Sequence, residues 1–204
     1  GFDIARLLTP PYDILQAQEA RELQRSDPHN AARVTLPFEL GRESHPRYRA
    51  AAHLLYSWID EGILARDERP ALYVYEQTAP DGTHQRGLIG ALCLNSPVRP
   101  HEDVAEPPVQ DRFRLMHATR ANLEPIFLLY RGGNGAASRA TEQVGGAPLT
   151  SARTQDGSLH RLWAITDPAD LDRIHTDLSR RSALIAHGPH RHAAYHRLLN
   201  EDTD

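Results

Sequence analysis

The chain has no lysine: all 23 of its lysine-or-arginine positions are arginine. A phosphate loop of the Walker type needs a lysine on the β- and γ-phosphates, and a Schiff-base enzyme needs a lysine amine. Both classes are therefore excluded. Phosphate recognition is not, because a guanidinium binds phosphate with two parallel donors. Cysteine is nearly absent too. The single Cys93 rules out an internal disulfide framework. It lies in the apolar run from Leu88 to Leu94, so a buried, inert thiol is expected. No hydrophobic run is long enough to span a bilayer, and no signal-peptide pattern is found. A cytoplasmic location without membrane contact is the resulting expectation. A broad basic field is also missing: the formal net charge is -4, which argues against nucleic acid as a partner.

What is present is ordinary for a globular protein. The 204 residues are 40% hydrophobic and 25% charged, enough for one core or two small lobes. Thr9-Pro10-Pro11-Tyr12-Asp13 forms a rigid opening, because each proline fixes its own φ and restrains its predecessor. A short helix is expected over Ala17 to Arg25, stopped by Ser26-Asp27-Pro28. A clearer one runs from Tyr48 to Ile59, with Ala51, Leu54, Leu55 and Trp58 on one face and Gly62 past its end. The period then changes. Ala71 to Gln77 and Gly87 to Leu94 read as strands around the turn Pro80-Asp81-Gly82. A helix over Asp111 to Ala121, with Asp111 as its cap, leads to a strand at Pro125 to Tyr130. The glycine-rich stretch 131–137 reads as a loop or lobe junction. A second hairpin fits Leu149 to Arg153 and Leu159 to Ile165, turning at Asp156-Gly157. Asp167-Pro168 opens a helix to about Leu178. A short buried strand, Ala183 to Ala186, leads to a last helix, Pro189 to Leu199. The mixture indicates an α+β (mixed α/β) fold of antiparallel hairpins with flanking helices, in one domain with two lobes conceivable at 131–137.

The last segment carries the most chemistry. A strand meets the tight turn His187-Gly188, and a helix opens at once with Pro189. Such a helix start offers unpaired N–H groups and a positive dipole end to an anion. His190 and Arg191, in the first turn, are placed to reach a phosphate. An ordinary strand–helix turn would also account for the pattern. The histidines at 187, 190, 192 and 196 raise a zinc reading, but no acidic or thiol ligand lies beside them, and no metal site is assigned. Elsewhere, Glu102 in Pro100-His101-Glu102-Asp103 is a candidate general base or magnesium ligand. Arg112 either pairs with Asp111 or binds an anion.

These stretches together resemble the domain of unknown function 1015 family. The resemblance rests on Pro10-Pro11-Tyr12-Asp13-Ile14, Asp27-Pro28-His29-Asn30, Trp58 with Glu61-Gly62-Ile63-Leu64, and Leu72 to Gln77. It continues through Arg86-Gly87, His101-Glu102, Asp111-Arg112, Asn122 with Pro125-Ile126-Phe127, Asp156-Gly157 and Leu162-Trp163. It ends with Ile185 to Arg191. The order and spacing of these motifs across nearly the whole chain are the specific signal. The family's terminal motif normally reads Ala-Asp-Gly-His-His-Arg-Tyr, and that loop is similar to phosphate loops of the ParB and sulfiredoxin superfamily. Relatives there bind nucleotides, and one branch phosphorylates free serine.

The resemblance implies a nucleotide site, ATP or ADP with magnesium, in which His187, Gly188, His190, Arg191 and Arg112 bind phosphate. It makes Glu102 and His190 the catalytic candidates. This chain departs from the motif at His187, which replaces an aspartate, at Pro189, which replaces a histidine, and at His192, which replaces a tyrosine. It also ends soon after the motif, where members of the family usually continue into a second half. Two further readings follow: a non-catalytic ligand- or partner-binding module with a degenerate loop, and a different small-molecule enzyme using His187 and His190 as acid and base. A homodimer is left open.

Overall fold

The computed structural model describes residues 3–37 and 45–201. In chain order the elements are helices α1 (Ile4–Leu7), α2 (Ala17–Ser26), α3 (Ala32–Thr35) and α4 (His45–Asp60), then strands β1 (Leu72–Thr78), β2 (His84–Ile89) and β3 (Val98–Pro100). Helix α5 (Glu106–Thr119), strand β4 (Phe127–Tyr130), helix α6 (Ala136–Glu142) and strands β5 (Thr150–Arg153) and β6 (Leu159–Ile165) follow. Helix α7 (Pro168–Leu178), strand β7 (Ala183–His187) and helix α8 (Pro189–Glu201) complete the set. The mixed α+β class expected from the sequence is what these elements form.

Local chemistry explains the boundaries. Glu19 reaches back to the Gln16 N–H at 2.8 Å, closing a capping box at the start of α2. The Asp167 carboxylate accepts from Asp170 N–H at 3.0 Å, and Pro168 follows as the first residue of α7. Helix α4 ends where Gly62 takes φ +72° and the N–H groups of Ile63 and Leu64 return to the Trp58 carbonyl. In the first hairpin the turn is fixed by Gly82 at φ +87° and by Asp81, whose carboxylate accepts from Thr83 N–H at 2.8 Å.

Two sheets result. The order β2-β1-β6-β5 makes a four-stranded antiparallel sheet. The order β3-β7-β4 makes a three-stranded one, in which β3 runs parallel to β7 and β4 antiparallel to it. Helix α5 packs against both α4 and α8. The apolar core lies there, with Tyr48, Ala51 and Leu115 on one side of α5 and Val109, Phe113, Met116 and Ala194 on the other.

Four local expectations are corrected. The second strand occupies 84–89 rather than 87–94, because its pairing with β1 runs from Thr78↔His84 to Tyr73↔Ile89 and β1 extends only one residue further. Cys93 consequently falls outside the sheet and is exposed, not buried. Helix α5 starts at Glu106, five residues before Asp111, so Asp111 is not its cap. Pro107 and Pro108 cost no helical hydrogen bond in a first turn, whose N–H groups have no partner anyway. The terminal strand is buried fully only at Ile185; Leu184 is exposed.

Candidate functional site

Parallel pairing sets up the site. Pro100 lies opposite Ile185; β7 passes through Gly188 straight into α8, and β3 reaches α5 through residues 101–105. Parallel strands with following helices characteristically bind ligands beyond their carboxyl ends. His101 leaves β3 and hydrogen-bonds the Ile185 carbonyl through Nδ1 at 2.5 Å. On the other side, His190 in the first turn of α8 accepts from the Ala105 N–H, at the cap of α5, at 3.2 Å. The starts of α5 and α8 therefore converge, and with them two positive dipole ends.

Gly188 is the pivot between β7 and α8. Its φ of +89° is a conformation that favours glycine. A β-carbon there would stand 2.6 Å from Arg191 Nη2 and 2.8 Å from Nε. The edge of the Arg191 guanidinium thus packs directly beneath the turn. Its side chain is 3% exposed, and Nε is buried without a hydrogen-bond partner. Above it, Gly188 O takes the His192 N–H at 3.1 Å. Pro189 has no N–H, which leaves those of His190 and Arg191 without an intrahelical partner. Because His190 Nε2 accepts a backbone proton, its own proton sits on Nδ1, where it can donate to an anion.

Arg191 Nη2 meets His187 Nδ1 at 3.1 Å, and His187 Nε2 meets the Asp13 carboxylate at 2.6 Å. Tyr12 lies beside two guanidiniums, with its ring centroid 4.2 Å from Arg112 and 5.6 Å from Arg191. Its N–H donates to Glu124 at 3.3 Å. Glu124 Oε2 stands 3.6 Å from Arg112 and 3.5 Å from Arg191, around a cavity of about 10 Å³, which is room for one water. Burial raises the Glu124 carboxyl above its ordinary value, and the two arginines offset that only in part.

The structure thus brings His187, Gly188, His190 and Arg191 together at one turn, with Arg112 in the layer beneath. Arg112 is held inward by the Thr35 carbonyl at 2.8 Å and by Asp111, which also accepts from Tyr48 at 2.6 Å. Glu102 lies at the adjoining end of β3, half exposed, with His101 3.8 Å away. The four histidines do not converge. His187 and His190 face Asp13 and Ala105, while the rings of His192 and His196 lie against each other, 4.6 Å apart. Among the described residues, no group of three His, Cys, Asp or Glu side chains is placed to hold a metal ion. Sequence reasoning missed Asp13, Tyr12 and Glu124. The first two were legible as a rigid Pro-Pro-Tyr-Asp segment, but only the fold carries that segment across to the turn.

Among the described residues, no helix is long and apolar enough to cross a membrane. A family model described as "Protein of unknown function (DUF1015)" matches residues 2–203, and the chain belongs to that family. No curated protein and no solved structure matches it.

Proposed function

We propose that this member of the family binds the phosphates of a nucleotide at residues 187–191, on a loop of the ParB and sulfiredoxin kind. One observation carries the reading. A buried guanidinium with an unpartnered Nε packs under a left-handed glycine, at the start of a 13-residue helix whose first-turn N–H groups have no helical partner. Contact with phosphate is made by the N–H groups of His190 and Arg191 and by His190 Nδ1–H. Arg191 supplies charge from behind the loop, and Arg112 adds to it at longer range.

The residues also fit ATP or ADP with magnesium. Magnesium commonly takes one or two carboxylates and completes its shell with phosphate and water. Glu102 is the carboxylate that could serve where it does not act as base, and the ion would neutralise phosphate charge. As a kinase for a small hydroxylated metabolite such as free serine, the site would use Glu102 to accept the hydroxyl proton while the oxygen attacks the terminal phosphorus and the nucleotide leaves. Cytoplasmic location belongs to this reading. Incubation with ATP or ADP, magnesium and a panel of amino acids is expected to give a phosphorylated product. Absence of both product and nucleotide turnover would remove the kinase.

A second reading rests on a different observation. The His190 lone pair is engaged by Ala105, and Glu102 is exposed with no partner closer than His101 at 3.8 Å. A binding module without chemistry fits those facts. It predicts that calorimetry detects nucleotide binding, weakened by Arg191→Ala and unchanged by Glu102→Ala, with no turnover. Equal affinity of wild type and Arg191→Ala would take the loop out of the account altogether.

A further inference from the structure

Asp13 enters the turn from the far end of the chain, 174 residues before His187 in sequence. Its carboxylate accepts from His187 Nε2 at 2.6 Å, and His187 Nδ1 in turn faces Arg191 Nη2 at 3.1 Å. A guanidinium can only donate, so the nitrogen facing it must carry the lone pair. In this arrangement the proton sits on Nε2, where Asp13 accepts it and holds it there. The three side chains form a directed chain in which each group has one permitted role. Arg191 donates to His187, and His187 donates to Asp13.

From this we infer that Asp13 is a positioning residue of the phosphate loop. It selects the His187 tautomer that holds the Arg191 guanidinium against Gly188. The inference rests on the phosphate reading of residues 187–191 and adds to it the residue that orients its main charge. The neighbouring contacts agree. Tyr12, the preceding residue, has its ring within 4.2 Å of Arg112 and 5.6 Å of Arg191 and donates its N–H to Glu124, so the segment is anchored beside the guanidinium. Asp13 and His187 are about one-third exposed, at 36% and 38%, whereas Arg191 is buried. The chain therefore runs from the surface to a charge beneath the turn. Without Asp13, His187 is free to carry its proton on Nδ1. A donor would then face a donor, and the guanidinium would have to turn away from the loop.

Two measurements on the full chain test this. The first is the ¹⁵N shift pattern of the His187 ring at neutral pH. Wild type is expected to show the Nε2–H tautomer, Asp13→Ala a mixture, and Asp13→Asn the wild-type pattern, because the amide oxygen still accepts. A merely structural role would lower the melting temperature without moving the tautomer. The second is calorimetric titration with ADP. Carboxylates that orient metal-binding histidines are typically worth 10- to 100-fold; taking the low end of that scale, Asp13→Ala is expected to weaken binding about tenfold, with Asp13→Asn recovering most of the loss. An Nδ1–H tautomer in wild type, or ADP affinity unchanged in Asp13→Ala, would overturn the inference. If wild type itself failed to bind ADP, the phosphate reading would fall, while the tautomer pattern would still decide whether Asp13 sets His187.

Discussion

Among the described residues, two glutamates each face two arginines, and they behave oppositely. In the four-stranded sheet, Glu76 is fully buried on β1, with Arg86 of β2 on one carboxylate oxygen and Arg161 of β6 on the other. Burial alone would raise its carboxyl, but the two guanidiniums together hold it below its ordinary value. Both also lie near the Trp163 ring, at 5.7 and 5.6 Å, and Arg86 reaches the Thr141 and Glu142 carbonyls at the end of α6. Beneath the terminal turn, Glu124 faces Arg112 and Arg191 through a single oxygen at 3.6 and 3.5 Å, and its carboxyl is raised. The residue types match; the distances do not. Close pairing across three strands ties a sheet together, whereas loose pairing beneath the turn goes with a buried guanidinium whose Nε has no partner. The two triads differ in how closely their charges approach, and that difference sets the direction of each carboxyl's shift.

The largest expected effect is at the matched triad. Glu76→Ala leaves two guanidiniums facing each other across β1. Removing one member of a buried ion pair costs about 3 to 5 kcal/mol. Since Arg86 and Arg161 are 26% and 37% exposed, the low end applies, about 3 kcal/mol in urea denaturation. Glu124→Gln should cost about 1 kcal/mol, the scale of one hydrogen bond, because its pairs are long and its charge is already disfavoured. Equal losses at the two positions would break the comparison.

Next in size is a glycine contrast. Gly188 and Gly82 share nearly the same φ, +89° and +87°, but a β-carbon at Gly82 meets nothing within 4 Å. Gly82→Ala should therefore lose only the left-handed penalty, about 1 kcal/mol. Gly188→Ala must also displace Arg191, so about 2 kcal/mol or more is expected, together with loss of ADP affinity in calorimetry. A Gly188→Ala protein that melted like Gly82→Ala and still bound ADP would show that Arg191 is not needed under the turn.

How much of this could be read in the sequence depends on whether the cause was local. The capped helices at Asp167-Pro168 and Gln16, both hairpins and the terminal strand–glycine–helix unit were legible, because their caps and turns lie within a few residues. Helix α6 was not. It opens inside the Gly-rich stretch, and its Ala137 N–H is taken by the Asp177 carboxylate from α7, 40 residues away, at 3.0 Å. Strand β3 was missed because three residues carry no period. In the site, Gly188 and Arg191 could be named from spacing. Arg112 could be named but not given its inward role, which depends on Thr35 and Asp111. Glu124 carries no motif at all, and only burial beside two arginines makes it stand out.

The smallest effect is a slope, and it separates the two glutamates by sign. Glu76 has a lowered carboxyl in the fold, so its contribution is fully present above the ordinary carboxylate value and is lost as pH falls through the lower folded value. Glu124 has a raised carboxyl, so its contribution is present at low pH and is lost as pH rises through the higher folded value. Substituting glutamine removes the titration in each case. The stability advantage of wild type over Glu76→Gln should therefore grow between pH 3 and pH 6, measured by urea midpoints at fixed ionic strength. The advantage over Glu124→Gln should shrink across the same range. Should both curves rise with pH, Glu124 would be as firmly paired as Glu76, and the contrast between the two triads would fall.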